Sequence, residues 1–189
     1  MQNYRNIQYL KNGTPVQQSA YQAITELGIL EILEAYDPIL VGTIPIAIDI
    51  PRSDLDIICQ VYNFDEFCKL IHTHFGACTD YNLRKKSGQN GLILVVNFEF
   101  MGFVFEIYAT SAQTESLNGY RHMIIESRII DLLGDTFRKE VIMLKLKGMK
   151  TEPAFAKLLH LKGNPYDALL SLEKRSDQEI HELYRVINQ

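Results

Sequence analysis

The sequence predicts an α+β fold: a small mixed β-sheet with flanking helices, followed by a helical region. Three observations carry this. Apolar residues recur at helical spacing before residue 36 and again through most of the chain after Thr110. Between these stretches lie short runs rich in Val, Ile, Phe and Tyr, punctuated by Gly, Pro and Asn. A hydrophobic content of 47% against 22% charged residues, in 189 residues, is enough to bury a core and has no compositional mark of disorder. The expected division is an α/β core over residues 1–112 and a C-terminal helical region over 113–189 packed on it.

Residues 1–16, with Asn12-Gly13 and Pro15, read as an irregular lead-in. Ala20, Ile24, Leu27, Leu30 and Leu33 then predict an amphipathic helix from about Gln17 to Tyr36, ended by Pro38. Ile39-Leu40-Val41 predicts a short buried strand closed by Gly42-Thr43. Ile44 to Pro51 holds two prolines and reads as a connection with a short turn. A strand from Ser53 to Val61 follows, then a helix capped by Asn63 with Glu66 and stopped at Gly76. Thr79 to Arg84 predicts a third strand, and Lys85 to Gly91 a loop. Leu92–Phe100 and Phe103–Ala109 predict a hairpin turning at Met101-Gly102. The remainder predicts helices over 117–133 and 137–149 separated by Gly134, over 152–161, and over 166–172 after Gly163-Asn164-Pro165. A last helix begins at Ser176 with Glu179 and runs to Ile187.

The apolar runs, such as Leu92–Val96, are too short to cross a bilayer, and the first residues are not followed by a signal-peptide core, which predicts a cytoplasmic protein. A net charge of −4 argues against bulk nucleic-acid binding, because phosphates are neutralised by Lys and Arg. Cys59, Cys68 and Cys78 contain no C-x-x-C pair and indicate neither a disulfide framework nor a zinc ribbon.

The chemistry concentrates in Ser53-Asp54-Leu55-Asp56-Ile57. Alternate residues of a strand share a face, so Asp54 and Asp56 stand on the same side, about 6–7 Å apart. Two acids in so apolar a run repel one another and lose hydration unless a cation, a basic partner or protonation relieves them. Hard oxygen donors with no neighbouring His or Cys suit Mg²⁺ better than Zn²⁺. Glu106 is the single acid inside the strand Phe103–Ala109. The plainer alternatives are solvated strand acids, or an ion pair with Arg52. His72 and His74, two apart on a helix, do not share a face and read as solvent-exposed.

Gly42-Thr43, followed about ten residues later by Ser-Asp-Leu-Asp-Ile and later by Glu106, resembles the pattern of the nucleotidyltransferase superfamily, the polymerase-β-like fold. GTIPIAIDIPRSDLDIIC and KTEPAFAKLL further resemble a bacterial family of uncharacterised function within it. The resemblance implies that Asp54, Asp56 and Glu106 hold one or two Mg²⁺ ions, and that Glu106 completes the site or serves as base. It also implies that Gly42, Thr43, Arg52 and Ser53 bind the phosphates of a nucleoside triphosphate. The implied reaction is transfer of a nucleoside monophosphate to an unknown small-molecule or protein acceptor. Family enzymes carry polar or basic residues after the Gly-Ser pair, whereas this chain has Ile44-Pro45-Ile46-Ala47-Ile48, with Asp49 beyond. The missing positive charge is then expected from Arg84, Lys85 and Lys86, or from Lys145, Lys147 and Lys150. Two rival readings stand beside this one: a catalytically inactive nucleotide- or partner-binding member of the fold, and a metal-dependent phosphohydrolase acting on nucleotides.

Overall fold

The computed structural model describes residues 2–88 and 91–185. Its frame is a five-stranded mixed sheet built from β1 (Ile39–Val41), β2 (Leu55–Gln60), β3 (Thr79–Gly88), β4 (Gly91–Phe100) and β5 (Phe103–Thr110), in the order β1-β2-β5-β4-β3. β2 runs parallel to β5 and every other pairing is antiparallel. Between β2 and β5, the connection carries a helix, α3 (Phe64–Phe75), and the β3-β4 hairpin. Asn63 caps α3 by accepting a hydrogen bond from the Glu66 amide, as the sequence predicts. Gly76 stops it as predicted, with a right-handed φ of −62°. Glycine is needed there for space, since a Cβ would lie 2.4 Å from the His72 carbonyl oxygen.

The predicted helix over 17–36 is broken. Helix α1 (Pro15–Leu27) opens with a full capping box between Thr14 and Gln17 and ends at Gly28, whose φ of 64° reverses the chain. Helix α2 (Ile29–Ile32) and a 3₁₀ turn at Glu34–Tyr36 follow. The predicted loop at Lys85–Gly88 is also strand: β3 continues through Lys85↔Leu94, Lys86↔Ile93, Ser87↔Leu92 and Gly88↔Gly91. Pairing with the apolar β4 overrides the polar composition. The lysines also suit an edge strand, where they discourage pairing with another chain. The β4-β5 turn is as predicted, with Met101 and Gly102 both at positive φ.

Alternation along each strand sorts the sheet into two faces. One face, carrying Leu55, Ile57, Cys59, Leu94, Val96, Phe98, Phe105 and Ile107, is fully buried in the core cluster with Ala20, Ala23, Ile24, Phe67, Ile71 and Phe75. Phe75, Phe98 and Phe105 stack in series with centroids 5.1 and 5.2 Å apart. The opposite face carries Asp56, Asn97 and Glu106.

The described chain forms two compact units. The sheet unit comprises residues 2–47 and 52–120. The helical unit comprises Ile48–Pro51 and the chain from Arg121 onward. Its elements are α4 (Asn118–Leu146, interrupted at Gly134 with φ 79°, ψ −169°, and beginning in the sheet unit), α5 (Thr151–Leu158), α6 (Pro165–Ser171) and α7 (Asp177–Arg185). Asn164, read from the sequence only as part of a break, caps α6, and Ser176 with Glu179 caps α7 as the sequence predicts. Ile187, the expected end of that last helix, lies outside the described residues.

Phe137 packs edge-on against Phe155 and Tyr184 in the helical unit. Lys145 is buried and donates to the Ile48 carbonyl oxygen at 2.7 Å. Glu126 is 4% exposed, with Oε1 lacking a hydrogen-bond partner. Burial first, then the Glu152 charge, push its carboxyl well above the usual range, against the opposing pull of Lys145. A carboxyl raised in the folded state favours folding fully below its unfolded value and loses that contribution as pH rises. Glu126→Gln is therefore expected to match wild type in stability near pH 4 and to exceed it increasingly toward neutral pH, as thermal melting across that range would show.

Candidate active site

β2 begins at Leu55, so Asp54 stands just ahead of the strand rather than within it as predicted, and is exposed, while Asp56 lies on the strand and is part-buried. Sheet register puts Val41, Asp56, Glu106, Asn97 and Asn82 in one transverse rung across β1, β2, β5, β4 and β3. Directly opposed residues on neighbouring strands bring their side chains within reach of one another. The fold thus brings Asp56 and Glu106, fifty residues apart in sequence, to adjacent positions on the polar face.

Charge repulsion is visible at the centre of this rung. Desolvation first, then the charges of Asp54 and Glu106, push the Asp56 carboxyl up to about 8. Neither an ion pair nor a hydrogen bond relieves Asp56 among the described residues, so the ion-pair alternative with Arg52 does not apply to it. Arg52 itself is exposed and held at a φ of 71°.

Gly42, the residue after β1, has a φ of 90°, and a Cβ there would stand 2.5 Å from Asp56 Oδ2. Two independent requirements, a left-handed backbone and room for a carboxylate, therefore fall on one glycine. Thr43 Oγ1 lies 3.3 Å from Ser53 Oγ as a hydrogen bond, tying the Gly-Thr turn to the residue ahead of the acids.

The apolar residues that follow Gly42-Thr43 do not line the polar rung. Ile44 enters the core cluster and Ile46 is buried. Their turn is held from below by Gln17, whose side-chain amide donates to the carbonyls of Ile44 at 2.8 Å and Pro45 at 3.1 Å. Asp49 belongs to the helical unit, where burial raises its carboxyl and the charge of Lys145 pulls it down.

Of the expected basic residues, Arg84 connects to the rung. Its Nη2 donates to Asn97 Oδ1 at 2.5 Å, and Asn97 Nδ2 donates to Glu106 Oε2 at 3.0 Å. Asn97 has no place in the sequence-based set of site residues. Its signal is there to find: one amide in the middle of the apolar run Leu92–Phe98, a residue type that a buried-sheet strand carries at a cost.

No group of three or more His, Cys, Asp or Glu side chains among the described residues is arranged to hold a metal ion as it stands. The donor set nonetheless fits a hard divalent cation in its chemistry. Its candidate ligands are the carboxylate oxygens of Asp54, Asp56 and Glu106, and the Asp56 carboxyl is raised first by burial and then by its two acidic neighbours, a cost that a bound cation would relieve.

Residues 22–172 match the model of a family described as a domain of unknown function (DUF4269). Comparison with curated protein sequences gives no match. Among solved structures, the chain is similar to the Cid1 poly(U) polymerase in its MgGTP-bound form, with 12% identity and a TM-score of 0.52, over 80% of this chain and 47% of that one. It is also similar to the GLD-2/RNP-8 complex (14% identity, TM-score 0.50, 93% of this chain and 74% of that one). The third is the polymerase core of the RNA surveillance complex TRAMP (12% identity, TM-score 0.50, 93% and 55%). The chain spans about half the length of the Cid1 structures it matches. At these identities the likeness establishes the fold, which is nucleotidyltransferase-like.

Proposed function

The chain belongs to the DUF4269 family and has a nucleotidyltransferase-like fold, and from that premise we propose that it is a Mg²⁺-dependent nucleotidyltransferase. In this reading it transfers a nucleoside monophosphate from a nucleoside triphosphate to a small-molecule or protein acceptor. The observation that carries the reading is the pairing of Asp56 with Glu106 on adjacent strands, beside a glycine that has room for nothing larger.

Asp54, Asp56 and Glu106 would hold the metal. Bound Mg²⁺ would offset the charge of the triphosphate and of the departing pyrophosphate. The residues of the chain do the rest. The positive φ at Gly42 lets the backbone amides of Gly42 and Thr43 face phosphate oxygens, with the Thr43 hydroxyl as a further donor. Ser53, coupled to Thr43, and Arg52, exposed at the entry to the acidic strand, complete the polar surround. Glu106 would either complete the metal site or serve as base, accepting the proton of the acceptor hydroxyl as the new oxygen–phosphorus bond forms and the bond to pyrophosphate breaks.

Calorimetric titration of the Mg²⁺ complexes of ATP, CTP, GTP and UTP into wild type and into Asp54→Asn/Asp56→Asn tests this. Heat from at least one nucleotide in wild type and none in the double variant is expected, and equal heats in both would remove the assignment. Burial of Ile44 and Ile46 leaves few donors around the Gly-Thr turn, which favours as second reading a nucleotide-binding member without turnover. Binding with no pyrophosphate release across a broad acceptor panel would select it. Release of nucleoside monophosphate without any acceptor would point instead to hydrolysis.

A further inference from the structure

We propose that Arg84 and Asn97 form a positioning relay that fixes the third acid of the site, Glu106, in place. The inference rests on the metal-site reading above but concerns residues outside its acid set. Asn97 sits directly opposite Glu106 in the β4-β5 register, and both belong to the rung that carries Asp56. Arg84 is on β3, two residues along from Asn82, which is the partner of Asn97, and so it shares the same sheet face.

The direction of the Asn97 amide follows from what stands on either side. A guanidinium has donors alone and a carboxylate has acceptors alone, so the carboxamide oxygen must face Arg84 and the nitrogen must face Glu106. Reversing the amide would set two donors together at 2.5 Å and two acceptors together at 3.0 Å. A cation on one side and an anion on the other thus lock a neutral group that could otherwise flip, and charge-assisted hydrogen bonds at both ends are stronger than neutral ones.

The consequence falls on Glu106. With Oε2 held by Asn97, Oε1 is the oxygen left for a metal ion or an acceptor proton, and the carboxylate keeps one orientation beside Asp56. The relay also supplies positive charge to the acid cluster at one remove. Arg84 polarises the amide toward Glu106 without occupying a carboxylate oxygen itself, which a direct ion pair would do. This answers the lack of polar and basic residues after Gly42-Thr43 with a cation reached from the opposite end of the sheet.

Two measurements on wild type, Arg84→Met, Arg84→Lys, Asn97→Leu, Glu106→Gln and the double variant Arg84→Met/Glu106→Gln test the relay. The first needs no metal: the two side-chain amide protons of Asn97 are followed by NMR for resonance separation and solvent exchange. Arg84→Met is expected to bring the two resonances together and speed their exchange at an unchanged melting temperature, while Arg84→Lys restores the wild-type pattern in part. An Asn97 amide unaffected by Arg84→Met would overturn the proposal. The second measurement is Mn²⁺ binding, read from the loss of the free-ion paramagnetic resonance signal. Arg84→Met and Asn97→Leu are each expected to weaken it about tenfold, the usual scale for partners that orient a metal ligand. Adding Arg84→Met to Glu106→Gln should cost nothing further, because a relay acts only through the group it holds. Full additivity of the two would mean that Arg84 acts elsewhere and would sink the relay. Should wild type bind no Mn²⁺, the metal-site reading falls while the amide measurement still decides whether Arg84 orders Asn97.

Discussion

Asp56→Asn is expected to make the metal-free protein more stable while abolishing its chemistry. The folded-state carboxyl is raised to about 8, and the unfolded chain ionises near the ordinary carboxylate value. Below about pH 4 the group is protonated in both states and costs nothing. Between there and pH 8 the unfolded chain releases a proton that the folded protein retains, so native stability falls as pH rises, and above pH 8 the loss is complete. The Asn variant lacks this titration. Its advantage in thermal melting should be absent near pH 4 and grow steadily up to pH 8. Under the proposed metal-site reading, millimolar Mg²⁺ should reverse the ranking, because an ion that binds folded wild type would stabilise it and would gain nothing from the variant. Transfer activity should fall about a thousandfold, the scale expected when a group that organises charge in the transition state is lost. Melting curves that give wild type and variant the same pH dependence without metal would contradict the crowded-acid picture.

Gly42→Ala should produce the opposite pattern, with both stability and binding falling. Its φ of 90° is strained for any residue with a side chain, and the added methyl would press on Asp56 Oδ2 from 2.5 Å. A loss of about 1–3 kcal/mol in denaturant unfolding is expected from the backbone alone. The displaced carboxylate should also weaken Mg²⁺-nucleotide binding at concentrations of protein where folding is complete. The double variant Gly42→Ala/Asp56→Ala isolates the steric part: it should recover some of the stability lost in Gly42→Ala, and no recovery would place the whole cost in the backbone.

Much of the fold is readable in the sequence because local rules and tertiary packing agree there. Asn63 with Glu66 marks the start of α3, Met101-Gly102 marks the β4-β5 turn, and Gly134 marks the interruption of α4. Where the two disagree, the sequence misleads. Gly28 sits inside a run of helical periodicity, yet its positive φ ends the helix. Lys85 to Gly88 have loop composition, but pairing with β4 makes them strand. The site divides in the same way. Asp54 and Asp56 are legible as two acids in an apolar run, but strand alternation applies only to Asp56, because β2 begins at Leu55. That Glu106 opposes Asp56 depends on a parallel register between strands separated by a helix and a hairpin, which periodicity does not encode. Arg84 is visible as a basic residue, but its route to Glu106 runs through Asn97, and an amide carries no charge to draw notice.

The excursion of Ile48–Pro51 into the helical unit bears on how this protein is synthesised. The ribosome delivers Gly42 and Asp54 early, yet the Ile48 carbonyl between them meets its donor, Lys145, only after 97 further positions have been translated. Vectorial folding of the amino-terminal half must therefore begin before this hydrogen bond can form. A fragment ending near Tyr120 would lack the ammonium group that holds the Ile48 carbonyl.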